Sequence, residues 1–441
     1  MKKSNEETRN IGSSEADLPD EILKLQEENN YLQSLLKISE SLISITNQDT
    51  LYHLAAEVIC ELLNADRAYL YLINKDKREL RSKTPGGDRR ELRIPLNTGI
   101  AGYVATTGET LNIPDPYKDA RFSPKYDIED GYPVKNILAT ALKNSGNEII
   151  GVILALNHHY GPFGASQARL LESIAQMTVH AVENVRMHEE QKRSFESFIE
   201  TLSTTLDARD YITSGHSRRV TLYAVEIAKL MKLSSDEINT IRYASLLHDI
   251  GKIGVPEMVL FKNKQLTEDE YEIIKRHANI TKSILSKIQF QKKFLDIPQI
   301  AATHHERIDG SGYPEGLTGQ EIPLGGKILS VCDVFDALTS RRHYNDRLNF
   351  DKVILLLDQE TGTSFEPFVV YHFKNIRLNK LIQVLEFGHQ RNLDHADLEK
   401  LKDYTLKDLI NIMNTQPSKK SAENAEIEHI FNRYYSRKYR H

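Results

Sequence analysis

Apolar residues recur at alternating steps of four and three through Leu18, Ile22, Leu25, Asn29, Leu32 and Leu36. This spacing predicts a short helix with a heptad seam and Asn at one core position. Two readings stay open for so short a run. One is a parallel dimer whose register the Asn helps set, and the other is an amphipathic helix packed on the next domain. Residues 1–17 are polar and are expected to be disordered.

From Ser39 to Glu183 the pattern changes. Leu51–Leu63 has helical period, Arg67–Ile73 is rich in strand formers, and Glu79–Ser82 returns after the turn Asn74-Lys75-Asp76-Lys77. Asn136–Leu142 and Glu148–Asn157 read as strands around a second turn, Lys143-Asn144-Ser145-Gly146-Asn147. These elements predict an α+β domain, an antiparallel sheet with flanking helices. A helix free of Pro and Gly starts near Ser166. Its seam runs through Leu171, Ile174, Thr178, Ala181, Val185, His188, Lys192, Phe195, Ile199, Leu202 and Leu206, apolar at both ends and polar in the middle. A signalling helix joining two domains is the expected role, with a passive linker as the alternative.

The third region reads as all-α. Apolar positions recur with helical period in Val220–Met231, Ser235–Leu247, Thr267–Leu285 and Asp351–Leu357. Ser234 or Ser235 and Thr267 stand where N-caps are needed, each followed by acidic residues. Leu381–Leu385 and Leu398–Met413 are compatible with helix. Residues 416–427 are expected to be flexible. The end carries Arg433, Arg437, Lys438 and Arg440 among tyrosines and is expected to be a solvated basic tail.

Composition narrows the class. A chain of 441 residues holds two or three domains of roughly 100–200 residues. The 57 basic and 62 acidic residues nearly balance, which argues against a DNA or RNA binder and a polybasic membrane protein. The longest apolar run, Ile149–Leu156, is far short of the roughly 20 residues of a membrane helix. No apolar stretch follows Lys2 and Lys3, so no signal peptide is expected. Cys60 and Cys332 show no pairing pattern, as expected in a cytoplasmic protein.

Chemistry concentrates in the helical region. His248-Asp249 follows the apolar run Tyr243–Leu247 and precedes Gly251-Lys252, while His304-His305 precedes a glycine-rich turn. His216, His277, Asp333 and Asp336 lie on either side. Polar groups beside an apolar helix face need partners, and a divalent metal is the simplest one for histidine and carboxylate.

Two resemblances organise these residues. Asn97-Thr98-Gly99-Ile100-Ala101-Gly102-Tyr103-Val104, the stretch from Asp115-Pro116 to Arg121-Phe122, and Tyr132 to Leu142 resemble GAF sensory domains. Tyr132 to Leu142 is most similar to the GAF domains of cyclic-nucleotide phosphodiesterases. Their Asn-Lys…Phe…Asp-Glu signature reads here Asn157-His158, Phe163 and Gln167-Ala168, so the ion pair of that signature is missing. Another small-molecule ligand, or dimerisation alone, is expected ahead of a cyclic nucleotide.

The second resemblance spans residues 205–373. Ala208-Arg209-Asp210, Gly215-His216-Ser217, Leu246 to Pro256, Leu266-Thr267, His277, His304-His305-Glu306-Arg307, Asp309 to Pro314, Ile322-Pro323, Asp333 to Leu338, Arg342 and Tyr344 are similar to the HD-GYP family of cyclic di-GMP phosphodiesterases. The resemblance implies two divalent ions, Fe or Mn. His216, His248, Asp249 and Asp333 would hold one, and His277, His304 and His305 the other, with Asp249 bridging. His248, Asp249 and Lys252 would be catalytic. Lys252 and Arg342 would grip phosphate, with Gly312, Tyr313 and Pro314 shaping the loop nearby. The product would be linear pGpG, with further cleavage to GMP left open. Ile212 stands where three-metal members carry a carboxylate, which favours two ions. Ile308, Ala278, Thr281, Cys332, Glu366 and Asn345 are further departures, and the last implies a weaker substrate grip.

The expected organisation is a disordered start and coiled-coil helix at 1–38, a GAF domain at 39–184, a connecting helix at 185–204, an HD-GYP domain at 205–374 and a helical, then flexible basic tail at 375–441. Expected partners are cyclic di-GMP, a GAF-domain ligand, a second copy in a homodimer and signalling proteins. The alternative is a catalytically weak HD-GYP binding module.

Overall fold

A computed structural model describes residues 45–84, 90–127, 131–209, 215–262, 264–340, 347–388 and 392–436. They form two compact units that meet in sequence at Ser194 and Phe195. The expected heptad helix at Leu18–Leu36 lies outside the described residues.

The first unit is built on a six-stranded antiparallel sheet in the order β3-β2-β1-β6-β5-β4. Its strands are β1 (Ala65–Asn74), β2 (Glu79–Lys83), β3 (Glu91–Pro95), β4 (Leu111–Ile113), β5 (Ile137–Lys143) and β6 (Ile149–His158). Helix α1 (Gln48–Leu63) starts where the Asn47 side chain accepts the Thr50 N–H at 2.8 Å. Side-chain alternation divides the long central strands between two cores. Leu70, Leu72 and Ile153 face α1 and the start of α3, while Tyr69, Val152 and Leu154 face α2 (Gly99–Thr107). The two edge strands β3 and β4 were not expected from the pattern; both are short.

Helix α3 runs unbroken from Ala165 to Arg209. Leu171, Ile174, Thr178, Ala181 and Val185 are buried in the first unit, and Ile199 and Leu206 in the second. The seam read from the sequence is therefore the face that enters each core. His188 and Lys192, its polar middle, are exposed.

Among the described residues, every regular element of the second unit beyond α3 is a helix. The unit comprises α4 (His216–Leu230), α5 (Ser235–Leu247), α6 (Glu268–Leu285), α7 (Ile297–Ala302), α8 (Leu324–Thr339), α9 (Phe350–Gln359), α10 (Pro367–Lys374), α11 (Leu378–Leu385), α12 (His395–Leu401), α13 (Leu406–Met413) and α14 (Ala422–Tyr435). Capping boxes start α5 at Ser234 with Glu237 and α6 at Thr267 with Glu270.

The expected flexible tail is corrected. Phe431, Tyr434 and Tyr435 are buried in the same core as Val220 and Phe335. Their i, i+3, i+4 spacing makes one apolar face of α14, and Phe350 packs on Phe431 at 4.7 Å between ring centroids. Arg433 pairs with Asp397. Arg437, Lys438 and Arg440 lie outside the described residues. Among the described residues no helix is long and apolar enough to cross a membrane.

Candidate metal centre

Five separate segments converge in the second unit. His216 is the first residue of α4, His248 and Asp249 follow the last turn of α5, and His277 projects from α6. His304 and His305 lie just beyond α7, and Asp333 and Asp336 sit one turn apart on α8. His216, His248, Asp249, His277, His304 and Asp336 are all buried.

Backbone carbonyls orient three of the imidazoles. His248 Nδ1 lies 2.7 Å from the Ser245 carbonyl, His277 Nδ1 2.6 Å from that of Ile274, and His304 Nδ1 2.6 Å from that of Ala301. In each case the partner is three residues back. A carbonyl only accepts, so each Nδ1 is the donor and each neutral ring has its lone pair at Nε2. These lone pairs face one another. His277 Nε2 and His304 Nε2 are 3.4 Å apart, and His248 Nε2 is buried without a hydrogen-bond partner. Converging lone pairs in a buried site call for a cation between them. The donors fall into overlapping groups: His277 with His304 and His305, His216 with His248 and Asp333, and His248 with Asp249 and His304. In each, the ligand atoms lie within 4.8 Å of one another. This nitrogen and oxygen set fits a divalent transition metal.

Asp249 sits at the centre. Its Oδ1 faces His277 Nε2 at 3.5 Å and His304 Nε2 at 4.0 Å, while its Oδ2 faces His248 Nε2 at 3.5 Å and His216 Nε2 at 3.9 Å. Lys252 Nζ approaches the same Oδ2 at 2.6 Å. Burial opposes the charge on Asp249, but Lys252 and the imidazoles outweigh it and hold the carboxyl well below its usual range. Burial likewise lowers His277, His304 and His305, the last to about 4, so these rings are neutral at pH 7.

His216 differs. Burial would lower it, but Asp333 on one nitrogen at 3.0 Å and Asp336 on the other at 2.8 Å lift it to about 10. Arg219 and the Ser340 hydroxyl hold Asp336 in place, Arg219 through two bonds of 2.8 and 3.0 Å. Arg219 carried no signal in the sequence, because its partner is 117 residues away.

A pH dependence follows. Metal-free His216 holds a proton at neutral pH and must release it from Nε2 to become a ligand. The three lowered histidines release none there. Mn(II) affinity is therefore expected to rise about tenfold per pH unit between about pH 7 and 9, with the His216 proton released on loading. Calorimetry in buffers of different ionisation enthalpy measures that proton directly; zero protons released at pH 7 would contradict the assignment.

The glycine-rich turn shapes one wall. Tyr313 packs its ring on His305 at 4.7 Å and reaches His277 at 6.4 Å. The buried Glu306 carboxylate pins the turn by accepting the N–H groups of Glu315 at 2.7 Å and Leu317 at 2.9 Å. Asp309 caps the turn from outside through Ser311. Arg342, Tyr344, Asn345, Asp210 and Ile212 lie outside the described residues. Thr281, one of the departures noted in the sequence, links two segments: its hydroxyl accepts the Gly251 N–H and donates to the His248 carbonyl, both at 2.9 Å.

The first unit holds a cavity of about 190 Å³ lined by Tyr69, Tyr71, Ile94, Tyr126, Tyr132 and Leu154. Small-molecule sites run to about 300–1,000 Å³, so the cavity is small for a nucleotide. Asn157 accepts the Lys135 N–H at 2.6 Å and donates to the Pro133 carbonyl at 2.8 Å. It thereby fixes the backbone of the Tyr132–Asn136 stretch.

Residues 200–369 match the HD domain family model, and residues 47–182 match that of the GAF domain. The chain is 41% identical over 182 residues to the cyclic di-GMP phosphodiesterase response regulator RpfG of Xanthomonas campestris, covering 41% of this chain and 47% of that protein. It is 40% identical over 184 residues to a cyclic di-GMP phosphodiesterase of Thermotoga maritima, covering 42% and 49% respectively. It is 35% identical over 189 residues to 3'3'-cGAMP-specific phosphodiesterase 2 of Vibrio cholerae, covering 43% and 36%. The chain thus spans about half the length, or less, of these curated relatives.

Proposed function

From a chain that belongs to the HD-domain family, in its HD-GYP branch, and carries a GAF domain ahead of that domain, we infer a metal-dependent hydrolase of cyclic di-GMP. The observation that carries this reading is the set of imidazole lone pairs converging on Asp249, with two Nε2 atoms 3.4 Å apart. His216, His248, Asp249 and Asp333 would hold one divalent ion, and His277, His304 and His305, with Asp249, a second. Fe or Mn suits these donors. Bound there, the ions supply a water of lowered pKa and positive charge against the phosphodiester.

The chain's own residues do the rest. Asp336 and the backbone carbonyls hold the imidazoles in the ligating tautomer. Lys252, within reach of Asp249, offsets negative charge that builds on the phosphate. Tyr313 and the turn pinned by Glu306 wall the site on the His305 side, and Arg342 grips a second phosphate oxygen. The product is pGpG, with GMP as a further product. The GAF domain regulates the rate, through a ligand or through association of two copies. The chain acts in the cytoplasm, where its free cysteines Cys60 and Cys332 stay reduced, and signalling proteins dock on it.

The test uses purified full chain loaded with Mn(II) or Fe(II) under reducing conditions. Cyclic di-GMP and 3'3'-cGAMP are supplied separately and products are separated by chromatography. Cleavage of cyclic di-GMP that stops with a chelator is the expected result. Metal-loaded chain that turns over neither substrate would leave a binding module.

A further inference from the structure

The last turn of α3 reaches two of the segments that carry the candidate metal ligands. Asp207 accepts the Gly215 N–H at 3.0 Å. Gly215 caps α4 in the left-handed region at φ 74°, and His216 is the next residue. Two residues after Asp207, Arg209 spreads its guanidinium over a different segment. Its Nη1 donates to the Ile253 carbonyl at 2.6 Å and its Nη2 to the Val255 carbonyl at 3.3 Å. These carbonyls close the 3-10 turn Ile250–Gly254, which begins directly after Asp249 and contains Lys252. Among the described residues these two carbonyls are the hydrogen-bond partners of Arg209, whose Nε is buried without one.

Neither side chain is among the converging metal donors. Each fixes backbone in a segment that carries one: Asp207 holds Gly215 next to His216, and Arg209 holds the end of the turn that follows Asp249. Buried Ile199, with Phe195 and Leu202 packed beside it, seats this part of α3 in the helical core, and Leu206 is buried as well. Within the second unit the helix contains no Gly or Pro between Phe195 and Arg209 at which it would kink.

We propose that Asp207 and Arg209 are positioning residues through which the end of α3 sets the spacing of His216 and Asp249, making this last turn the point where regulation enters the metal centre. The proposal rests on the metal reading above. A shift or rotation of α3 moves both anchors together. Because they hold different arms, the arms move relative to α6 and α8, which carry the other ligands.

Coupling between two places is reciprocal, so metal loading must be felt at the end of α3. The experiment is hydrogen–deuterium exchange on the full chain with and without Mn(II), read on peptides covering residues 199–209, with Mn(II) affinity from calorimetry. In the unaltered chain, Mn(II) is expected to slow exchange at the end of α3. Asp207→Ala and Arg209→Gln are each expected to raise the Mn(II) Kd by about 5–20-fold, within the usual range of coupling between sites, and to erase the exchange response. Their melting temperatures in chelator should match the unaltered chain. A merely structural role would lower those melting temperatures and leave the Mn(II) Kd alone, which overturns the proposal. So does Mn(II) that binds the unaltered chain without changing exchange at the end of α3, an outcome no variant is needed to read. Failure of the unaltered chain to bind Mn(II) at all would remove the metal reading itself and this proposal with it.

Discussion

Asp249→Asn is expected to lower hydrolysis of cyclic di-GMP at least about a thousandfold and to cost the chain its metal. The substitution keeps the shape of the side chain and removes only its charge and half of its acceptor capacity. Each Asp249 oxygen now faces a different pair of histidines, Oδ1 toward His277 and His304 and Oδ2 toward His216 and His248. An amide must turn its NH2 toward one of these pairs, placing a donor where a cation is needed. It also leaves Lys252 without the carboxylate it now meets at 2.6 Å, so that ammonium would add positive charge beside the metal sites. The measurements are metal content by elemental analysis and turnover by chromatography, with circular dichroism to confirm that the helices persist. Asp309→Asn is the control. Asp309 caps the exposed turn through Ser311, and both metal content and turnover should be unchanged. Full metal content and ordinary turnover in Asp249→Asn would remove Asp249 from the centre of the mechanism.

The features legible in the sequence are those written locally. His248-Asp249 at the end of an apolar helix and His304-His305 before a glycine-rich turn are each visible in a few residues. The capping boxes at Ser234 and Thr267 are short-range as well. Strands β1, β5 and β6 show themselves by long apolar stretches, because they occupy the middle of the sheet or its flank and bury both faces. β3 and β4 are edge strands with one neighbour each, too short for a pattern to stand out.

What stayed hidden depends on partners far apart in sequence. The grip of Arg219 on Asp336 joins α4 to α8. The orientation of the imidazoles comes from carbonyls that bear no side-chain signal. The packing of α14 needed Phe350, 81 residues before Phe431, as its partner. The polar letters around those aromatics, which suggested a solvated tail, mark only the outer face of a helix. The seam of α3 was visible as a period, but period alone does not say whether it meets a second copy or its own core.

Gly251→Ala is expected to destabilise the second unit by about 3 kcal/mol, near the upper end for overpacking, and to abolish metal loading along with it. The 3-10 turn after Asp249 lies backbone against backbone on α6. A Cβ on Gly251 would stand 1.9 Å from the His277 carbonyl oxygen and 2.6 Å from the Thr281 amide nitrogen. Neither atom is a flexible side-chain end, so the turn and the helix must separate. That separation breaks the bond from the Gly251 N–H to the Thr281 hydroxyl. It also draws His277 away from Asp249, now 3.5 Å distant. For a unit of this size such a loss lowers the melting temperature by about 6–12 °C. Gly254→Ala supplies the comparison within the same turn. Its added Cβ would meet only the Ile280 side chain, nearest at the Cδ1 methyl 2.8 Å away, and that methyl can rotate aside. A cost under about 1 kcal/mol with metal binding intact is expected there. Thermal melts in chelator and Mn(II) titrations of both variants decide the matter: equal losses at Gly251 and Gly254 would mean that the contact with the His277 backbone is not what holds the two halves of the site together.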